Sequence, residues 1–176
     1  MRRAWILLAV LATALAGGSL QAQEQEQKGP TLGGHIGFVL PLVTDTSGNW
    51  TNLGDAPSVG FPMGITVKGN GHYAFDLEFI PQYNSTGQRQ NSLTIHPGIL
   101  YGFGKTWAVG LRAAYVINQP TVGFTPLLHK NFPIKNPNGL LKAYFVEADL
   151  PVRFNRPLNS PATNAVTFAM HFGVAF

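Results

Sequence analysis

Val166-Thr-Phe-Ala-Met-His-Phe-Gly-Val-Ala-Phe176 alternates between large apolar residues and small or polar ones along its whole length. Strand side chains point to opposite faces in turn, so one face carries Val166, Phe168, Met170, Phe172, Val174 and Phe176. The other carries Ala165, Thr167, Ala169, His171, Gly173 and Ala175. An apolar face for lipid, a small and polar face for a lumen, and an aromatic last residue are what the closing strand of a transmembrane barrel requires.

The same period of two runs back through the chain. Eight strands are expected, over 32–42, 60–68, 72–83, 93–103, 106–118, 121–129, 141–154 and 165–176. In the third, Tyr73, Phe75, Leu77, Phe79 and Tyr83 oppose Ala74, Asp76, Glu78 and Gln82. In the fifth, Trp107, Val109, Leu111, Tyr115 and Ile117 oppose Ala108, Gly110 and Arg112. The seventh sets Tyr144, Val146, Leu150, Val152 and Phe154 against Glu147, Asp149 and Arg153. The sixth is the least regular, because Pro126 interrupts it.

Connections alternate in length. Gly69-Asn-Gly71 and Gly104-Lys105 suit tight hairpin turns, whereas 43–59, 84–92 and 155–164 are longer and polar. Outer-membrane barrels have short periplasmic turns and longer outer loops, which places the tight turns inside. A short link at 118–120 and a long one at 130–140 depart from that rule. Tyr73, Phe103, Trp107, Tyr144 and Phe176 fall near the expected periplasmic ends, and Phe61, Tyr83, Tyr115 and Phe154 near the outer ends, as two aromatic girdles. Ten residues at about 3.3 Å each, tilted by about 40°, rise roughly 25 Å, the height of an outer-membrane apolar band.

Composition agrees. Charged residues make up 11% of the 176, well below the roughly 25% of a soluble domain, and 20 residues are glycine. A soluble sandwich or a lipocalin-like barrel would need a charged exterior that this chain lacks. Residues 1–22 read as a cleaved signal peptide: Arg2 and Arg3, then an apolar run too short to span a bilayer. Residues 23–30 are expected to be a flexible tail and 31–176 the barrel. Without the signal, ten Lys and Arg face eight Asp and Glu. They form no basic cluster of the kind a nucleic acid requires. The absence of cysteine excludes disulfides and thiolate metal sites.

These features together resemble the small bacterial outer-membrane β-barrels, the broad group of outer membrane protein A, X and W types. The resemblance implies an eight-stranded antiparallel up-and-down transmembrane β-barrel in the outer membrane, acting as a monomer. It also implies that Phe172, Val174 and Phe176 form the signal read by the barrel-assembly machinery.

The inward face collects Asp76, Glu78, Arg112, Glu147, Asp149 and Arg153 with His35, His96 and His171, and an ion-paired lumen is expected from them. The carboxylate pairs Asp76/Glu78 and Glu147/Asp149 could serve acid–base chemistry, but nothing places a substrate beside them. Ser47, Ser58, Ser85, Ser92 and Ser160 all fall in expected loops, and no His-x-Ser pair exists to suggest a lipid-modifying enzyme. No metal-ligand spacing is evident, His129 stands alone, and no cofactor is expected. In the outer loops, Trp50 and Arg89 are candidates to meet a partner or lipopolysaccharide. Three functions remain: a structural or surface-interaction barrel, a narrow channel for ions or small solutes, and a lipid-modifying enzyme.

Overall fold

The computed structural model describes residues 29–84, 92–135 and 138–176. The expected signal peptide, tail residues 23–28, and Ser85 and Arg89 lie outside them. Eleven strands follow one another without a helix among the described residues. They are β1 (Thr31–Thr46), β2 (Asn49–Asn52), β3 (Ser58–Gly60), β4 (Met63–Lys68), β5 (Tyr73–Asn84), β6 (Ser92–Phe103), β7 (Trp107–Val116), β8 (Thr121–Pro133), β9 (Ala143–Asp149), β10 (Val152–Asn155) and β11 (Thr163–Ala175).

Eight of these positions form the wall. β3 with β4, and β9 with β10, are each one wall strand with a break, and β2 folds back on the loop end of β1. Each wall strand pairs antiparallel with its sequence neighbours, and β1 closes the ring on β11 from His35↔Ala175 to Thr46↔Ala165. The fold is an eight-stranded antiparallel up-and-down transmembrane β-barrel, and closure leaves no open sheet edge in lipid.

Prolines set the irregularities of this wall. In an antiparallel strand the N–H and C=O of one residue point to the same side, and proline supplies only the C=O. The Pro81 carbonyl accepts from Phe61 N, and the Pro126 carbonyl accepts from Leu150 N. The donors these prolines lack are therefore missing beside the two breaks, at 61–62 and 150–151. Pro41 stands next to the bulge that shifts β1 against β11 before Val43.

The sixth wall strand corrects the sequence expectation. It runs through Pro126 as expected, but β8 continues beyond 129 as Lys130 to Pro133 pair with Val146 to Ala143. The link expected at 130–140 moves to 134–142. Two expected loops also shorten: Ser58 opens β3 and Ser92 opens β6.

The outward face is apolar along the middle of the wall, and near one end Lys130 lies over the outward Trp107 ring at 4.4 Å. Phe61, Tyr73, Tyr83, Phe103, Trp107, Tyr115, Tyr144 and Phe176 are all exposed on it. Phe154 is half-buried, with the Phe124 ring at 6.1 Å and the Arg156 guanidinium at 5.6 Å. Phe176 exchanges two 2.9 Å backbone hydrogen bonds with Gly34. A Cβ at position 34 would overlap the Phe176 ring, so glycine there lets the aromatic lie across β1.

Candidate functional site

Halfway along the lumen every wall strand contributes to one cluster. Arg112 on β7 is its centre, at 1% exposure. Its Nε donates to Asp76 Oδ2 at 2.8 Å. Nη1 and Nη2 donate to the two oxygens of Glu147 at 2.8 and 3.1 Å, and Nη2 lies 3.2 Å from Glu78 Oε1. A planar guanidinium suits this arrangement because its donors fan out in one plane and can engage Glu147 with two parallel bonds. Glycine at position 98 makes room: a Cβ there would overlap Arg112 Cγ.

Four imidazoles surround the ion pairs. His35 Nε2 lies 3.0 Å from Glu78 Oε1 and His96 Nδ1 lies 3.5 Å from Glu78 Oε2. On Glu147, His129 Nδ1 is 2.7 Å from Oε1 and His171 Nδ1 is 3.3 Å from Oε2. Thr66 of β4 donates to Asp76 Oδ1 at 2.6 Å, and Thr125 Oγ1 lies 2.9 Å from His96 Nε2. Charges of both signs are buried together, the arrangement that makes buried charge tolerable.

The cluster is narrower than the sequence suggested at two points and wider at two others. Arg153 forms no ion pair among the described residues. Its guanidinium donates to Thr125 Oγ1 at 3.1 Å and to the carbonyls of Phe124 and Val152 at 3.2 Å. Asp149 is buried without an ion pair among the described residues, its Oδ1 lacking a hydrogen-bond partner. His129, by contrast, belongs to the cluster. So does Phe145, at 3% exposure, whose ring centroid lies 4.9 Å from His171, 5.2 Å from His129 and 5.9 Å from His35. Strand parity could have found both, since Phe145 is two residues before Glu147 and His129 four after Thr125.

Two groups have carboxylate and imidazole atoms close enough to share a cation: His35 with Asp76 and Glu78, and Glu78 with Glu147 and His171. Arg112 engages a carboxylate of both groups and supplies their positive charge. As for nucleophilic chemistry, no serine among the described residues hydrogen-bonds a histidine. Ser47 Oγ instead accepts from Asn164 N at 3.4 Å.

Below the cluster, toward Thr31, Phe176 and the tight turns, small inward residues including Ala74, Gly102, Ala108 and Ala175 leave a cavity of about 500 Å³. Above it, Thr94, Ala114 and Val116 are buried, and a smaller groove of about 290 Å³ lies at the loop mouth beside Thr44, Gln82 and Thr167.

No protein-family model matches the chain, and no curated protein matches it. Among solved structures it is similar to a de novo designed transmembrane β-barrel, at 19% identity and a TM-score of 0.38, covering 85% of this chain and 100% of the other. It is also similar to Ail, the attachment invasion locus protein of Yersinia pestis, solved with the heparin analogue sucrose octasulfate. That match has 10% identity and a TM-score of 0.43, and covers 85% and 99% of the two chains. A third similarity is to outer membrane protein AlkL, determined in DMPC bilayers, at 9% identity and a TM-score of 0.42, covering 91% and 94%. The fold class itself rests on the closed ring and its apolar exterior.

Proposed function

We propose that the chain is a monomeric barrel of the bacterial outer membrane, exported through a cleaved signal peptide, with a structural or surface-interaction role carried by its outer loops. The observation that supports this reading most is the Arg112 cluster, which fills the lumen at mid-height with side chains from all eight wall strands. Eight-stranded barrels are narrow enough for side chains to fill, and a filled lumen leaves the loops as the part free to meet other molecules.

The loop end is organised for presentation. At the loop end β1 and β2 form a hairpin whose turn residues Ser47 and Gly48 both have positive φ, 52° and 94°, the geometry that matches strand twist. Asp45 Oδ1 accepts from Gly48 N at 2.7 Å. Ser47 N donates to Asn164 O at 3.0 Å, tying the hairpin to the base of the neighbouring loop. There the Arg156 guanidinium donates to Asn155 O, Thr163 O and Asn164 Oδ1. Trp50 and Leu158 stand exposed on these two segments, an anchor pattern for a partner or for lipopolysaccharide. The barrel-assembly machinery is the expected partner during biogenesis, with Phe172, Val174 and Phe176 as its signal.

A narrow channel is the second reading, favoured by the cavity below the cluster. Gel mobility of boiled and unboiled envelope fractions, with inner and outer membranes separated, tests the first proposal. A heat-shifted band in the outer membrane, no conductance in planar bilayers, and attachment lost when residues 47–56 are deleted are the expected results. A conductance step that vanishes in Arg112→Ala would replace the surface role with transport, and acyl transfer on lipid A would replace both with catalysis.

A further inference from the structure

The cavity below the Arg112 cluster has a chemistry that neither the ion-paired centre nor the loops explain. It is a blind vestibule, open at the end that carries Thr31 and Phe176 and floored by Asp76, Arg112 and Glu147. At about 500 Å³ it falls within the range of small-molecule sites. Its wall is continuous: β4 pairs with β1 from Thr31↔Lys68 to Ile36↔Met63, and β6 with β7 down to Phe103↔Trp107. A ligand must therefore enter along the barrel axis from water, which excludes a lipid headgroup with its acyl chains attached.

The charges facing this space are not balanced. Both carboxylates of the floor are engaged by Arg112, Asp76 through Nε and Glu147 through two parallel bonds. Three further lysines, Lys68, Lys105 and Lys142, line the cavity, and no other Asp or Glu does. Lys68 and Lys105 have no ion pair among the described residues, and Lys142 Nζ donates to Gly139 O at 2.8 Å. Arg112 and the three lysines bring four positive charges to the lining against two carboxylates, and an excess of one sign within low-dielectric walls concentrates counter-ions. Thr31 and Asn131 add neutral hydrogen-bonding groups to the same lining.

We infer that this vestibule binds a small, soluble, multiply charged anion bearing phosphate or carboxylate groups. The negative groups meet the three lysines, and the body of the molecule fills the space left by the small residues above them. The site is independent of the role proposed for the loops, since it lies at the opposite end of the barrel.

Isothermal titration with sodium tripolyphosphate and with citrate, on the full barrel in an uncharged detergent, tests the inference. Two variants separate its parts. Gly102→Leu fills the vestibule while leaving every lysine in place. A Cβ at position 102 meets nothing nearer than His72 O at 3.5 Å, so the wall accommodates it. Lys68→Glu combined with Lys105→Glu reverses the charge without filling the space. The heat shift on gels establishes for each variant that the barrel is closed. Saturable, salt-sensitive binding to the unaltered chain is expected, weakened at least about tenfold by either change, through lost space in the first and lost charge-assisted hydrogen bonds in the second. No binding of either anion would overturn the inference. Binding that survives Gly102→Leu and is lost only with the lysines would overturn it too, because the anion would then sit on the rim and not inside.

Discussion

Leu111 and Arg112 are neighbours on β7, and they face two different solvents. Leu111 is 55% exposed on the outer face of the barrel, and Arg112 is 1% exposed at the centre of the lumen. Outside, one lipid-facing apolar residue is much like the next, so the face tolerates exchange among apolar side chains. Inside, Arg112 meets Asp76, Glu78 and Glu147 at fixed distances, and none of those carboxylates has another guanidinium partner among the described residues. The two faces thus follow different rules: polarity alone governs the outer one, and pairwise geometry governs the inner one.

The strongest way to break this contrast is at Arg112. Arg112→Ala strands three buried carboxylates and is expected to cost about 3–5 kcal/mol in urea unfolding of the barrel in lipid vesicles. A loss below about 1 kcal/mol would mean the cluster behaves like an exposed ion pair and that the lumen is not dry. One residue away, Leu111→Arg puts a charge near the middle of the apolar band and is expected to destabilise by about 2–4 kcal/mol in the same assay. If it does nothing, the two faces are assigned backwards.

A subtler change tests the seam where β1 meets β11. Phe176→Ala removes a half-exposed ring lying across Gly34 and is expected to cost about 1–2 kcal/mol and to lower the yield of heat-shifted barrel. Restoring bulk from the other side sharpens the result. Gly34→Val in the unaltered background is expected to lower the yield as well, because its side chain would collide with the Phe176 ring. Unchanged yield in both would show that the backbone pair Gly34–Phe176 closes the seam alone. Smallest of all, Trp50→Ala at the hairpin tip should alter stability by no more than about 0.5 kcal/mol. Any larger loss would mean that Trp50 packs on the barrel mouth.

Legibility in the sequence followed the same division. The outer face was readable residue by residue, and the limits of most wall strands lie within two or three positions of those the alternation predicts. β8 was expected over 121–129 and runs four residues further, to Pro133. In the folded wall, the donor Pro126 lacks falls beside the gap between β9 and β10, so the break appears in the neighbouring strand. Of the lumen, parity identified Asp76, Glu78, Arg112 and Glu147 as inward. It missed Phe145 because Tyr144 and Phe145 place aromatics on both faces, and His129 because Leu127 and Leu128 obscure the alternation there.

What the sequence determined by itself is local: a period of two, one face apolar and the other small or polar, is written into consecutive residues. With low charge and no long apolar helix after the first residues, that pattern specifies a barrel in a membrane. What only the tertiary structure decided is which inward residues meet. Arg112 reaches Asp76 across 36 positions and Glu147 across 35. Arg153, equally inward by parity, finds among the described residues only a threonine hydroxyl, a histidine and carbonyl oxygens. Those distances depend on ring closure and on the register between strands, which no run of neighbouring residues encodes.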